Sequence, residues 1–391
     1  MTIGSFSFGP TTAVAFGVGR IEKIAGDVER LAGAGAAVLL AADPALPRLA
    51  DRVEAALAKG GSKVTRFSDI RSDPLASQID ACAEAARKAD ARILVALGGG
   101  STLDVAKMAA AIALEGREAE FYALAKEPLP AKGLPRICVP TTAGTGSETT
   151  RVSVYTSAKG DKVWGWGDAL KADLALLDPT LTVGLPAALT AATGVDALVH
   201  AIEACTIRRA NPFNDSTCHQ AIRLIAGNLK RAVEVPDDLD ARGHLQIAAA
   251  LAGIGIDNAG TGVGHAVGHA LGAIGHVHHG RAVGLALRAA IGWNAEVSPE
   301  RHAAVAAVMG VPVAGRSAKD IGRELAGAFD AFLRSVGLPI SLAEDGLGAK
   351  DVKRLAEVTM APENKPMRDA NCREITAGDA EWLAREVLTA A

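Results

Sequence analysis

RILVALGGGSTLDVAKMAAAIAL (residues 92–114) runs from an apolar segment of strand length, through three glycines, into a segment with helical spacing. RILVALG (92–98) reads as a buried strand, Gly98, Gly99 and Gly100 as a turn, and Ser101 as the opening of a helix. The same alternation continues on both sides. AAVLLAA (36–42) and RICVP (136–140) read as further buried strands, EKIAGDVERLAG (22–33) and PLASQIDACAEAARKA (74–89) as helices. Strand–helix alternation predicts a parallel sheet with helices on both faces. After DPTLTVGLP (178–186) the strand signal nearly vanishes, and helix follows helix, rich in Ala and Leu, to the C-terminus. The expected organisation is an α/β domain over residues 1–185 and an all-helical domain over 186–391.

The glycine turn has chemical meaning. Three glycines let a phosphate approach the backbone closely, and free N–H groups at a helix start favour an anion. Ser101 reads as the N-cap, with Asp104 three residues on completing a capping box. PTTAGTGSE (140–148) also follows a strand directly, with hydroxyls at Thr141, Thr142 and Thr145. Either loop alone reads as a polar turn; together they suggest one extended cofactor. Asp43, closing the strand AAVLLAAD, can accept both ribose hydroxyls of NAD and would repel the 2′-phosphate of NADP. Its plainer reading is a turn residue before Pro44.

The second concentration of chemistry is histidine. Five of the nine histidines fall in GHAVGHALGAIGHVHHG (264–280), and Asp196 and His200 lie upstream in GVDALVHAIEA (194–204). Residues four apart on a helix share a face, so Asp196 with His200, and His265 with His269, are each spaced to chelate. Imidazole and carboxylate are the usual ligands of a catalytic first-row metal. One helical histidine is more often an ordinary core or surface residue. Two spaced pairs backed by a His-rich turn favour a metal site. The five cysteines are scattered, with no ligand-pair spacing, which argues against a structural zinc cluster and suits reduced thiols.

Composition bounds the rest. A net charge of −3 provides no footprint for nucleic acid or anionic lipid. The start, MTIGSFSFGPTTAV, lacks a basic and apolar leader, and no stretch reads as a membrane span of about 20 apolar residues. The expectation is a cytoplasmic enzyme acting on a small molecule, with no nucleic-acid or membrane partner.

GGGSTLDVAK (98–107), PTTAGTGSE, GVDALVHAIEA and the His-x3-His-x9-His of His265, His269 and His279 together closely resemble the iron-containing (group III) alcohol dehydrogenases. FGVG (16–19), LLDPTLTVGLP (176–186), NPFND (211–215) and NCREIT (371–376) extend the resemblance over essentially the whole chain. It implies the architecture shared with dehydroquinate synthase: a dinucleotide-binding α/β domain and a helical metal-binding domain, with the active site between them. It implies Asp196, His200, His265 and His279 as metal ligands, with Fe²⁺ commonest and Zn²⁺ the alternative. It places His269 near the nicotinamide, and Asp43, Gly99, Gly100, Ser101, Thr141, Thr142, Thr145 and Lys162 against NAD(H). It implies a homodimer or larger homo-oligomer, and hydride transfer between an alcohol or aldehyde and nicotinamide C4.

Several positions depart from the family pattern. His278 stands where relatives usually carry Pro; with His276 it either modifies the metal site or sits on a wet loop, and the wet loop is favoured. Arg151, Ser153 and Tyr155 follow PTTAGTGSE, where relatives are often apolar, so Arg151 either pairs with an anionic substrate or faces outward. Trp164 and Trp166 either shape a cofactor rim or pack the sheet, and Asp257 either orients an imidazole or caps a helix. Two other activities share the architecture: maleylacetate reduction, which need not use a metal, and a dehydroquinate-synthase-like lyase. The intact Asp/His set argues against the first, and the lack of a Lys/Arg cluster beside it argues against the second.

Overall fold

The computed structural model describes residues 5–9 and 11–390. The chain divides into two compact units, Pro10–Gly184 and Leu185–Ala391 with Met1–Gly9. Gly9 N donates to Asn258 Oδ1 at 2.7 Å and the Phe6 and Phe8 rings pack on Phe213, which ties residues 5–9 to the helical unit.

In the α/β unit, strands β1 (Val14–Phe16), β2 (Val38–Ala42), β3 (Val64–Phe67), β4 (Ile93–Gly98), β5 (Arg136–Pro140) and β8 (Leu174–Leu177) form one parallel sheet. Their order is β1-β8-β5-β4-β2-β3. Side chains alternate across a strand, and both faces are covered. Val38, Leu40, Ile93, Val95 and Leu97 pack with residues of α1 (Ile24–Ala32) and α2 (Pro47–Lys59). Leu39, Ala41, Leu94 and Ala96 pack with α3 (Ala76–Lys88) and α4 (Gly100–Ile112) on the other face. Burial on both faces explains why these strands read as unbroken apolar runs rather than alternating ones. A separate antiparallel hairpin, β6 (Val152–Thr156) and β7 (Lys162–Trp166), rests on α4.

The strand order reverses between β2 and β4. The crevice at the carboxyl ends of strands flanking such a switch point is where open parallel sheets bind ligands. Asp43 ends β2 there, and its backbone N donates to Leu97 O of β4 at 3.0 Å.

The helical unit comprises α5 (Ala187–Thr206), α6 (Pro212–Glu234), α7 (Leu239–Ala259), α8 (Val263–Gly275), α9 (His279–Ala295), α10 (Pro299–Val308), α11 (Ala318–Ser335), α12 (Val352–Thr359), α13 (Lys365–Ala370) and α14 (Ala377–Leu388). Helix α5 is the central one, packed by α6, α7 and α9. It corrects one expectation: at 20 residues with a mean hydropathy of 1.2, it is long and apolar enough to cross a membrane by length and composition. Within the fold 83% of that window is buried, so its apolar character serves the core.

Candidate active site

Two constellations emerge, one in each unit. In the α/β unit, the turn after β4 and the loop after β5 are packed together. Thr141 N donates to Gly98 O at 3.0 Å, and a Cβ on Gly100 would sit 2.6 Å from Thr145 Cγ2. Only glycine lets the two loops approach this closely. The structure thus brings Asp43, Gly99, Gly100, Ser101, Thr141, Thr142 and Thr145 to neighbouring strand ends. Asp43 Oδ1 accepts from Ala45 N at 2.9 Å, so the carboxylate also holds the turn into α2. Lys162 stands on another element, opening β7 with its ammonium 3.1 Å from Asp73 Oδ1.

The cap of α4 differs from expectation. The N-cap is Gly99, in extended conformation, and Ser101 lies inside the helix with no side-chain cap present. The glycine turn lets the helix begin two residues early, leaving its first N–H groups without intrahelical acceptors, as an anion site requires. Asp104, freed from capping, reaches the neighbouring loop: Ser147 Oγ donates to its Oδ1 at 2.5 Å and Val154 N to its Oδ2 at 3.0 Å. Lys107, fully buried, donates to Ser147 O at 2.8 Å and also to the carbonyls of Thr150 and Val152. These bonds span 40 to 50 residues, so no local sequence pattern announced them.

Arg151, Ser153 and Tyr155 are occupied within this unit. Ser153 Oγ donates to Asp104 O at 2.9 Å and Tyr155 Oη to Ala119 O at 2.8 Å. The Arg151 guanidinium lies 5.2 Å from the centre of the Trp166 ring and 3.2 Å from Asp168 Oδ1, engaging both the arginine and that tryptophan in the hairpin.

In the helical unit, α5 carries Asp196, His200 and Glu203 on one face, α8 carries His265 and His269, and α9 opens with His279. The Nε2 atoms of His200, His265 and His279 lie 3.8, 3.9 and 3.6 Å from Asp196 Oδ1. Those separations exceed the hydrogen-bond range of about 2.7–3.2 Å. They approach the roughly 3.4 Å between ligand atoms of a tetrahedral ion with bonds near 2.1 Å. Asp196, His265 and His279 offer ligand atoms all within 4.8 Å of one another, and His200 joins them through Asp196 and by stacking on His265 at 4.5 Å. Asp196 Oδ1 is buried and has no hydrogen-bond partner among the described residues. A carboxylate oxygen held that way is costly unless a cation meets it. The donor set fits a first-row divalent metal. His269 stays half-buried beside it, its ring centre 5.4 Å from that of His279.

His276 and His278 are exposed on the connection between α8 and α9, as a wet loop requires. The carboxylate on the far side of His265 is Glu203, not the expected candidate Asp257, which sits in the last turn of α7. Glu203 Oε2 lies 2.6 Å from His265 Nδ1, and its Oε1 accepts from Gly264 N at 2.7 Å. Burial pushes the Glu203 carboxyl up to about 7. A signal for it existed: it follows Asp196 by seven and His200 by three, on the same helical face.

The sequence matches the iron-containing alcohol dehydrogenase family over residues 10–179, and that family's C-terminal part over 190–386. The chain belongs to the iron-containing alcohol dehydrogenases. It is 32% identical over 354 residues to the sulfoacetaldehyde reductase of Bilophila wadsworthia, covering 89% of this chain and 90% of that one. It is 33% identical over 361 residues to long-chain-alcohol dehydrogenase 1 of Geobacillus thermodenitrificans, covering 91% and 90%. Among solved structures, sulfoacetaldehyde reductase from Bifidobacterium kashiwanohense in complex with NAD⁺ superimposes with a TM-score of 0.89 at 29% identity, covering 99% and 100%. As in other iron-containing alcohol dehydrogenases, the parallel sheet lies in the N-terminal part and the helices in the C-terminal part.

Proposed function

We propose that this chain is a metal-dependent, NAD(H)-linked alcohol dehydrogenase or aldehyde reductase. The observation that carries the reading is the buried Asp196 Oδ1, without a hydrogen bond and approached at 3.6–3.9 Å by three imidazole nitrogens. Asp196, His200, His265 and His279 would hold the metal, Fe²⁺ by family and Zn²⁺ as the alternative. When bound, such an ion supplies Lewis acidity to the substrate oxygen. The strand-end loops at Gly99–Ser101 and Thr141–Thr145 hold the dinucleotide pyrophosphate, and Asp43 at the end of β2 selects NAD(H) by repelling a 2′-phosphate. The bound dinucleotide would supply the hydride chemistry at its nicotinamide C4. His269, half-buried beside His279, moves the alcohol proton.

The test is NADH oxidation by anaerobically purified, Fe²⁺-reconstituted protein, with neutral, carboxylate-bearing and sulfonate-bearing aldehydes side by side. Turnover that stops on chelation is expected; turnover that survives chelation favours the maleylacetate reductase type. A product formed with no net change in NADH favours the lyase. His265→Ala is expected to lose metal and turnover together, whereas His269→Ala keeps metal and slows by roughly 10²–10⁴-fold, the usual worth of a positioned acid–base group. Full metal content in His265→Ala removes it from the ligand set.

A further inference from the structure

Glu203 is 2% exposed and lies within the central helix, with both carboxylate oxygens committed. One oxygen takes the Gly264 N–H in the first turn of α8; the other takes the His265 ring at Nδ1, 2.6 Å away. A Cβ at position 264 would stand 2.8 Å from Glu203 Oε1, so glycine there is what admits the carboxylate. On the opposite edge of the same ring, His265 Nε2 lies toward Asp196 at 3.9 Å. Carboxylate, imidazole and the Asp196 donor set are therefore in series.

We infer that Glu203 is a positioning residue for the metal: it holds the Nδ1–H tautomer of His265, leaving the Nε2 lone pair aimed at the ion. The inference rests on the metal-dependent reading above. An imidazole ligates through a bare nitrogen, and a carboxylate on the other nitrogen both selects that tautomer and raises the basicity of the ligating one. The bond of Glu203 to Gly264 N offers a purely structural role, anchoring the start of α8, and the test must separate the two.

Glu203→Gln does so. An amide whose oxygen keeps the Gly264 N–H bond turns its NH₂ toward His265, and that donor favours the opposite tautomer, with Nδ1 bare and Nε2 protonated. The helix anchor survives and the ligand is switched off. Zn²⁺ and Fe²⁺ affinities would be measured by chelator competition on wild type and variant, with the thermal midpoint of metal-free protein and NADH binding as controls. The expected result is a metal affinity lowered by about 10–100-fold, with both controls unchanged. A variant that binds metal as tightly as wild type overturns the role of Glu203 and leaves the metal reading intact. Wild-type protein that binds neither ion overturns both. If the variant does not fold, ¹⁵N NMR of histidine-labelled, metal-free wild type decides: a proton on Nδ1 of His265 with Nε2 bare supports the inference, and a bare Nδ1 with a protonated Nε2 overturns it.

Discussion

At Glu148, burial works against charge. The side chain closes PTTAGTGSE, is 2% exposed, and its carboxyl is pushed up by desolvation to about 7. In the unfolded chain it ionises in the ordinary range, about 4.3. Between those values the folded protein keeps a proton that the unfolded chain has lost. The associated stability is therefore complete below the lower value, falls as pH rises through the window, and stays lost above about 7. Glu148→Gln removes this dependence. The variant is expected to be more stable than wild type at pH 8, by on the order of 3–4 kcal/mol, with the advantage gone near pH 4. Denaturant midpoints at the two pH values measure it; equal losses in both proteins would refute it.

The α8–α9 connection shows how an element's end can depart from the preferred residue. Helix α8 stops at His276, which takes the left-handed conformation at φ 53°, with its N–H bonded to Gly272 O at 3.0 Å. Glycine is the usual occupant of such a position, because a Cβ crowds the following carbonyl. His276→Gly is expected to raise stability by about 0.5–1 kcal/mol: the left-handed conformation costs a side chain roughly 1–2 kcal/mol, offset in part by the extra entropy glycine loses. Metal content should not change, since the exposed His276 lies off the donor set. A drop in metal content on this substitution would move His276 into the site. The start of α4 makes the complementary point: there Gly99 occupies the cap and Asp104 is released to bind Ser147 and Val154.

Across the whole molecule, the cysteines report on how closed the two units are. Cys82, Cys138, Cys205 and Cys218 are buried and Cys372 half-buried, and none is in a disulfide. Burial pushes the thiols of Cys82, Cys138 and Cys218 up to about 12 and that of Cys372 to about 11. The thiolate is the reactive form, so native protein at pH 8 should react with a thiol reagent slowly and first at Cys372. Denatured protein should titrate all five. Rapid modification of two or more thiols in the native state would mean that a core opens on the timescale of the assay.

The sequence by itself determined the class of fold and the family, and through the family resemblance it named a candidate donor set. Apolar periodicity and motif spacing act over a few residues, so β4, its glycine turn and α4 were legible at once, as were the spaced pairs Asp196–His200 and His265–His269; His279 came in through the family resemblance. What only the tertiary structure decided lies between distant segments. It placed Glu203 against His265 across 62 residues and Asp104 against Ser147 across 43, and it held Arg151 to Asp168 and Trp166. Helical spacing states which side chains share a face. Which neighbouring helix or loop that face meets is decided when the cores pack, and no local pattern encodes it.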